Sequence, residues 1–179
     1  MHVDELWQIV ETSRRRVADP ADGDAVAAAV SAELATRSAA EIVLADRTLW
    51  TLMAESERHA VWAAAYLING GCSDDSFDYF RGWLIAQGRD VFTHVVDDPD
   101  TLAELAVIQE AAVDRLDSMD CEAMLGVGWD AHRVVAGADL PNDGWTVTHR
   151  PREPEWEFDF EDQDEMRRRL PRLARLFLD

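Results

Sequence analysis

Residues 65–88 read AYLINGGCSDDSFDYFRGWLIAQG, and this block limits the possible folds more than any other part of the chain. A glycine turn leads into a helical-looking stretch that is apolar or aromatic on nearly every side, yet it carries Asp75, Asp78 and Arg81. A helix apolar all round is normally buried. Buried charge is costly unless it is paired. The block therefore predicts a helix at the centre of the molecule. Its charges form either a structural network or the floor of a site.

The rest of the chain reads as helices around that axis. Leu6, Ile9, Val10 and Val17 recur at helical spacing over residues 4–17, behind acidic Asp4 and Glu5. Asp24 reads as the cap of a second helix that buries Val26, Val30 and Leu34. Ser38 and Glu41 form a capping box before Ile42, Leu49, Leu52 and Met53. A fourth helix spans residues 57–68 and stops at Asn69, Gly70 and Gly71, because glycine takes the left-handed conformation that ends a helix. Ser73 or Asp74 caps the central helix, and Gly88 breaks it before a short sixth. Asp98 followed by Pro99 is a cap and first-turn pair. Residues 100–137 read as helical in two or more pieces, with a weak point at Gly126 and Gly128.

Residues 137–162 differ. Trp145, Val147 and His149 alternate, as do Trp156, Phe158 and Phe160, and three prolines interrupt any helical period. Such runs predict either a small β-hairpin or an extended aromatic arm laid across the helices. A final helix starts near Gln163, with acids leading and arginines following. Pro171 inside it predicts a kink or a restart. The expected fold class is all-α, a mainly helical single domain over residues 1–179, with residues 137–162 as an irregular arm or hairpin within it.

Composition narrows function. A chain of 179 residues, 47% of them hydrophobic, suits one domain with a real core. No apolar run reaches the roughly 18 residues that cross a bilayer, and no signal peptide is apparent. A cytoplasmic protein without membrane contact is the expectation. The net charge of −19 argues against direct nucleic-acid binding, which needs a basic surface. It fits a basic protein partner, mimicry of nucleic acid, or simple solubility. Residues 17–149 hold 24 acids and only 7 arginines, while the two ends hold the other 10 arginines. Cys72 and Cys121 are expected as free thiols, and the five scattered histidines make no zinc motif.

Several of these residues form a pattern. The run AAYLINGGCSDDSFDYFRGWLIAQGRDVF resembles the signature of the bacterial domain-of-unknown-function family 4240. The leading Asp4, Leu6, Trp7, Ile9 and Val10 are similar to that family's start. The closing RRRLPRLARLF resembles its end, although Ala174 stands where a tryptophan is expected. The resemblance implies a mainly helical domain. It also implies relatives that occur alone or beside a tryptophan-glycine-arginine domain in proteins described as molybdate-metabolism regulators. It brings no established catalytic residues.

On a helical wheel, Phe77, Phe80, Leu84 and Gln87 share one side of the central helix. Asp75, Asp78, Gly82 and Ala86 fall roughly opposite. The small Gly82 and Ala86 let a neighbouring helix, or a ligand above two carboxylates, come close. In the structural reading Asp78 pairs with Arg81 or Arg89. In the functional reading Tyr66, Asn69, Cys72, Asp75, Asp78, Tyr79, Arg81 and Trp83 line a pocket. Cys72 precedes a helix N-terminus, which favours a thiolate, but Asp74 and Asp75 oppose that charge. It reads as an inert cysteine. Asp97, Asp98 and Asp100 lack the spacing of a calcium loop and read as turn and cap residues. Asp130, His132 and Arg133 are weaker candidates for a cleft. No cofactor and no metal site are expected. The leading expectation is a non-catalytic acidic module that binds a macromolecular partner. The alternative is an enzyme or small-ligand protein built around the central block. A third is an acidic nucleic-acid mimic.

Overall fold

A computed structural model describes residues 1–114, 118–149 and 153–179. Its helices are α1 (Val3–Arg14), α2 (Gly23–Leu34), α3 (Ala39–Glu55), α4 (His59–Asn69), α5 (Asp74–Ala86), α6 (Arg89–Asp97), α7 (Ala106–Asp114), α8 (Glu122–Leu125), α9 (Val127–Ala136), α10 (Gln163–Arg169) and α11 (Pro171–Phe177). Two 3₁₀ turns, Pro99–Glu104 and Pro154–Trp156, join them. There is no strand among the described residues, so the fold is all-α. None of their helices is long and apolar enough to cross a membrane.

Helix α5 is the axis around which six of the other helices pack. Phe77, Phe80, Trp83, Leu84 and Ile85 are buried, and α1, α2, α3, α4, α6 and α8 all pack against it. Ser73 caps it by accepting the amide of Ser76. The small residue at Gly82 is a condition of this packing. A Cβ there would lie 2.4 Å from the Cys121 carbonyl oxygen and 2.7 Å from the Leu125 side chain. The Cys121 amide, in turn, donates 3.0 Å to the Tyr79 carbonyl. The chain entering α8 is thus hydrogen-bonded to the backbone of the central helix.

Local chemistry places most ends. The Ser38–Glu41 capping box opens α3, and Gly70 closes α4 at φ 65°. Asp98 caps the turn that begins at Pro99. Pro171 restarts the chain as the first residue of α11, where its missing N–H breaks no helical bond. Two ends differ from the sequence reading. Asp22, not Asp24, caps α2, because its carboxylate accepts the Ala25 amide at 3.0 Å while Gly23 is buried against Cys121 and Trp83. Helix α1 stops at Arg14 rather than near Val17, and His2 opens it through a capping box with Glu5.

Residues 137–149 and 153–162 run as an arm outside the α-helices. Its first run is largely exposed: Trp145 rests under the Arg47 guanidinium, 5.6 Å from its ring centroid, and Arg47 also pairs with Asp143. Its second run is half-buried. Phe160 packs edge-on to Tyr66 and Trp62, and Phe158 packs on Phe160. Arg169 of α10 covers Trp156 and Phe158 at 5.1 and 4.7 Å. Side chains, not a backbone ladder, hold the described part of this arm. The expected hairpin turn at 151–154 falls partly outside the described residues.

Candidate functional site

Arg81 is the hub of the central block. It is 6% exposed. One guanidinium nitrogen donates 2.5 Å to the Met53 carbonyl near the end of α3, and another pairs with Asp78. The group also lies 4.8 Å from the Phe77 ring centroid. A helix leaves its last carbonyls without intrahelical partners. Arg81 satisfies one of them and so ties α5 to α3. Arg89 is turned elsewhere, pairing with Asp4 at 2.8 Å.

The eight candidate residues do not converge on one cavity. Trp83 is buried, packing on Phe80. The space over Gly82, on the Asp78 side of α5, is filled by α8. Asp75 is exposed. Tyr79 feels the charges of Glu122 and Asp75, and with partial burial these raise its phenol above the ordinary value. Cys72 is half-buried, and its carbonyl accepts the Trp62 indole N–H at 3.0 Å. Burial pushes its thiol up to about 11. Burial likewise pushes Cys121 up to about 12. Neither sulfur is poised as a thiolate.

Tyr66 and Asn69 lie apart from the other six, on a pocket of about 460 Å³ at the end of α4. Asn69 fixes one edge: its amide oxygen accepts the Met119 amide at 2.9 Å and its nitrogen donates 3.3 Å to the Met119 carbonyl. Opposite stand Phe160 and Glu161 from the arm, Met166 from α10 and Phe177 from α11. The Tyr66 hydroxyl donates to the Glu161 carboxylate, and this bond chiefly holds the phenol proton on. The sequence reading missed this far wall. Alternation of Trp156, Phe158 and Phe160 announces an arm pinned by its rings, but not the helix that receives them.

A second feature is a face rich in acids. Asp24 of α2, Asp75 of α5, Asp120, Glu122 of α8 and Asp130 of α9 are all exposed. Asp24 and Asp120 both act on Cys121, Asp75 and Glu122 both act on Tyr79, and Asp24 and Asp130 line one groove. None of the five pairs with an arginine among the described residues. The groove between α2 and α9 is floored by Ala27, Ala28, Ala32 and Val127, with Val134 75% exposed at its edge. Among the described residues, no three His, Cys, Asp or Glu side chains converge as metal ligands would. His132 is buried, its ring Nδ1 2.9 Å from the Ala138 carbonyl.

Fold and surface together define an all-helical domain with a buried arginine hub, an acidic face and a pocket closed by its own C-terminal tail. The chain belongs to the family described as "Protein of unknown function (DUF4240)", which it matches over residues 1–133. The match includes the near wall of the pocket, Tyr66 to Gly70, and ends before the arm, α10 and α11 that form the far wall. The closing RRRLPRLARLF run also lies beyond it. No curated protein and no solved structure matches the chain.

Proposed function

We propose that this protein is a non-catalytic module that binds a basic macromolecular partner through the acidic face. The observation that carries this reading is the contrast between its two sets of charges. Four of the five arginines of α10 and α11 are spent inside the molecule: Arg168 and Arg169 pair with Glu165, Arg167 with Asp179, and Arg172 with Asp98, Asp100 and Glu104. Asp24, Asp75, Asp120, Glu122 and Asp130 have no such arginine among the described residues, so their field is left for another molecule. A one-signed surface steers an oppositely charged partner and penalises like-charged ones. The apolar groove between Asp24 and Asp130 adds area that a partner can cover.

The test is titration of the protein with an arginine-rich peptide at low and at physiological salt. Binding should weaken steeply with salt, since exposed charges are screened beyond about 8 Å at physiological ionic strength. The triple variant Asp24→Asn, Glu122→Gln, Asp130→Asn should lose most of the affinity. A charge-matched triple elsewhere (Asp90→Asn, Asp97→Asn, Glu110→Gln) should lose little. Equal losses in the two triples would assign the binding to net charge and sink this reading.

A further inference from the structure

We propose that the pocket at the end of α4 binds a small organic cation with an apolar body, at a site independent of the acidic face. At about 460 Å³ it has the size of a ligand pocket. Leu67, Phe160, Met166 and Phe177 give it apolar walls, Asn69, Ser118 and Gln163 give it polar ones, and the Tyr66 ring lies beside Phe160 at a centroid distance of 5.6 Å. Glu161 is the only acidic or basic side chain that lines it among the described residues. Its carboxylate is oriented by the Tyr66 hydroxyl, and its backbone amide is anchored 3.0 Å from an Asp159 carboxylate oxygen. One phenol uses one of about four acceptor positions on a carboxylate, so capacity remains for an ammonium or guanidinium group. Aromatic rings attract the same groups.

The alternatives fit less well. An anion would meet Glu161 with no lining cation to receive it. The Arg167 guanidinium, which touches the lining residues Gln163 and Leu178, is engaged with the Gln163 side chain at 3.2 Å, the Leu178 carbonyl at 3.4 Å and Asp179 at 3.3 Å. A neutral ligand without a hydrogen-bond donor would cover the carboxylate without replacing the water it displaces, which is costly, and a neutral donor would leave its charge uncompensated. The cation would touch both the body, at Tyr66, and the tail, at Phe160 and Glu161. Binding therefore also fastens the tail to α4.

Calorimetric titration with phenethylamine, phenethyl alcohol and phenylacetate tests this. The amine should bind at least about tenfold tighter than the alcohol, a difference of about 1.4 kcal/mol, and phenylacetate should bind weakest. In Glu161→Gln, which still accepts from Tyr66, amine and alcohol should become equal with the melting temperature unchanged. In Phe160→Leu both should weaken. N-acetylarginine amide separates two sources of the same chemistry. If it binds tighter than phenethylamine, the natural cation is a protein side chain; if weaker, a free amine. Three results would overturn the proposal: an amine no tighter than the alcohol or acid, a preference that survives Glu161→Gln, or no binding of any cation. None of them bears on the acidic face, whose variants leave this pocket intact.

Discussion

Asp100 caps a helix that begins more than seventy residues later in the chain. Its carboxylate accepts the backbone amides of Arg172 at 3.0 Å and Leu173 at 2.9 Å, and the Arg172 Nε at 3.1 Å. The acid is 4% exposed. It supplies the first turn of α11 with the acceptor that Pro171 and Leu170 cannot provide, and the Arg172 guanidinium neutralises it. Asp98 and Glu104 hold the rest of that guanidinium.

Asp100→Ala removes a cap and leaves the Arg172 and Leu173 amides without their acceptor, while Asp98 and Glu104 still hold the Arg172 guanidinium. Loss of a cap costs about 1 kcal/mol, and a buried donor left unsatisfied costs roughly 1–3 kcal/mol. The expected outcome is a destabilisation of about 3 kcal/mol in urea unfolding. Glu104→Ala, which removes only an exposed partner of the same guanidinium, should cost less than about 1 kcal/mol. Similar losses for the two would refute the assignment of the cap.

Arg81 and Asp78 separate an architectural charge from a working one. Arg81→Met leaves the Met53 carbonyl without that donor and unpairs Asp78. It should cost about 2–4 kcal/mol, as other broken buried networks do. Asp78→Asn, which keeps an acceptor beside the guanidinium, should cost less but still destabilise. A melting temperature that rises in Asp78→Asn would instead mark the acid as held there for function at the expense of stability.

Asp46 on α3 sets a pH dependence. Burial against the Gly128 backbone raises its carboxyl from an ordinary 3.8 to about 6, although neighbouring Arg47 opposes the shift. The folded state therefore holds this proton more tightly than the unfolded chain. Its stabilising contribution is complete below pH 3.8 and is lost as the pH rises towards 6. Asp46→Asn should remove that slope. At neutral pH it should stabilise the protein by about 1–2 kcal/mol, allowing for solvent screening of a half-buried group. Chemical unfolding of both proteins across pH 4.5–7.5 measures it. Parallel stability curves would show that Asp46 is not the titrating group.

Much of the fold is legible locally because its signals act over a few residues. Ser38 with Glu41, the left-handed Gly70 and the restart at Pro171 each depend on the backbone within one turn. The near-continuous apolar surface from Phe77 to Ile85 admits one solution, burial on every side. It also places Arg81 indoors, where it must find partners. Even there the reach is short. Asp24 reads as the cap of α2 in the sequence, but Asp22 takes that role in the fold, where Gly23 packs against Cys121 and Trp83.

Other features depend on partners far along the chain. Gly82 invites a close neighbour, but only the assembled core makes that neighbour the Cys121 carbonyl. Asp100 reads as a turn residue until α11 arrives to use it. Tyr66 and Asn69 were within reach of sequence reasoning, whereas Phe160 and Glu161, which complete their pocket, come from an arm whose landing place has no local code. Short-range geometry is written residue by residue in backbone preferences and hydrophobic spacing. A pocket or a remote cap exists only once distant segments have been brought together by burying the same apolar surface.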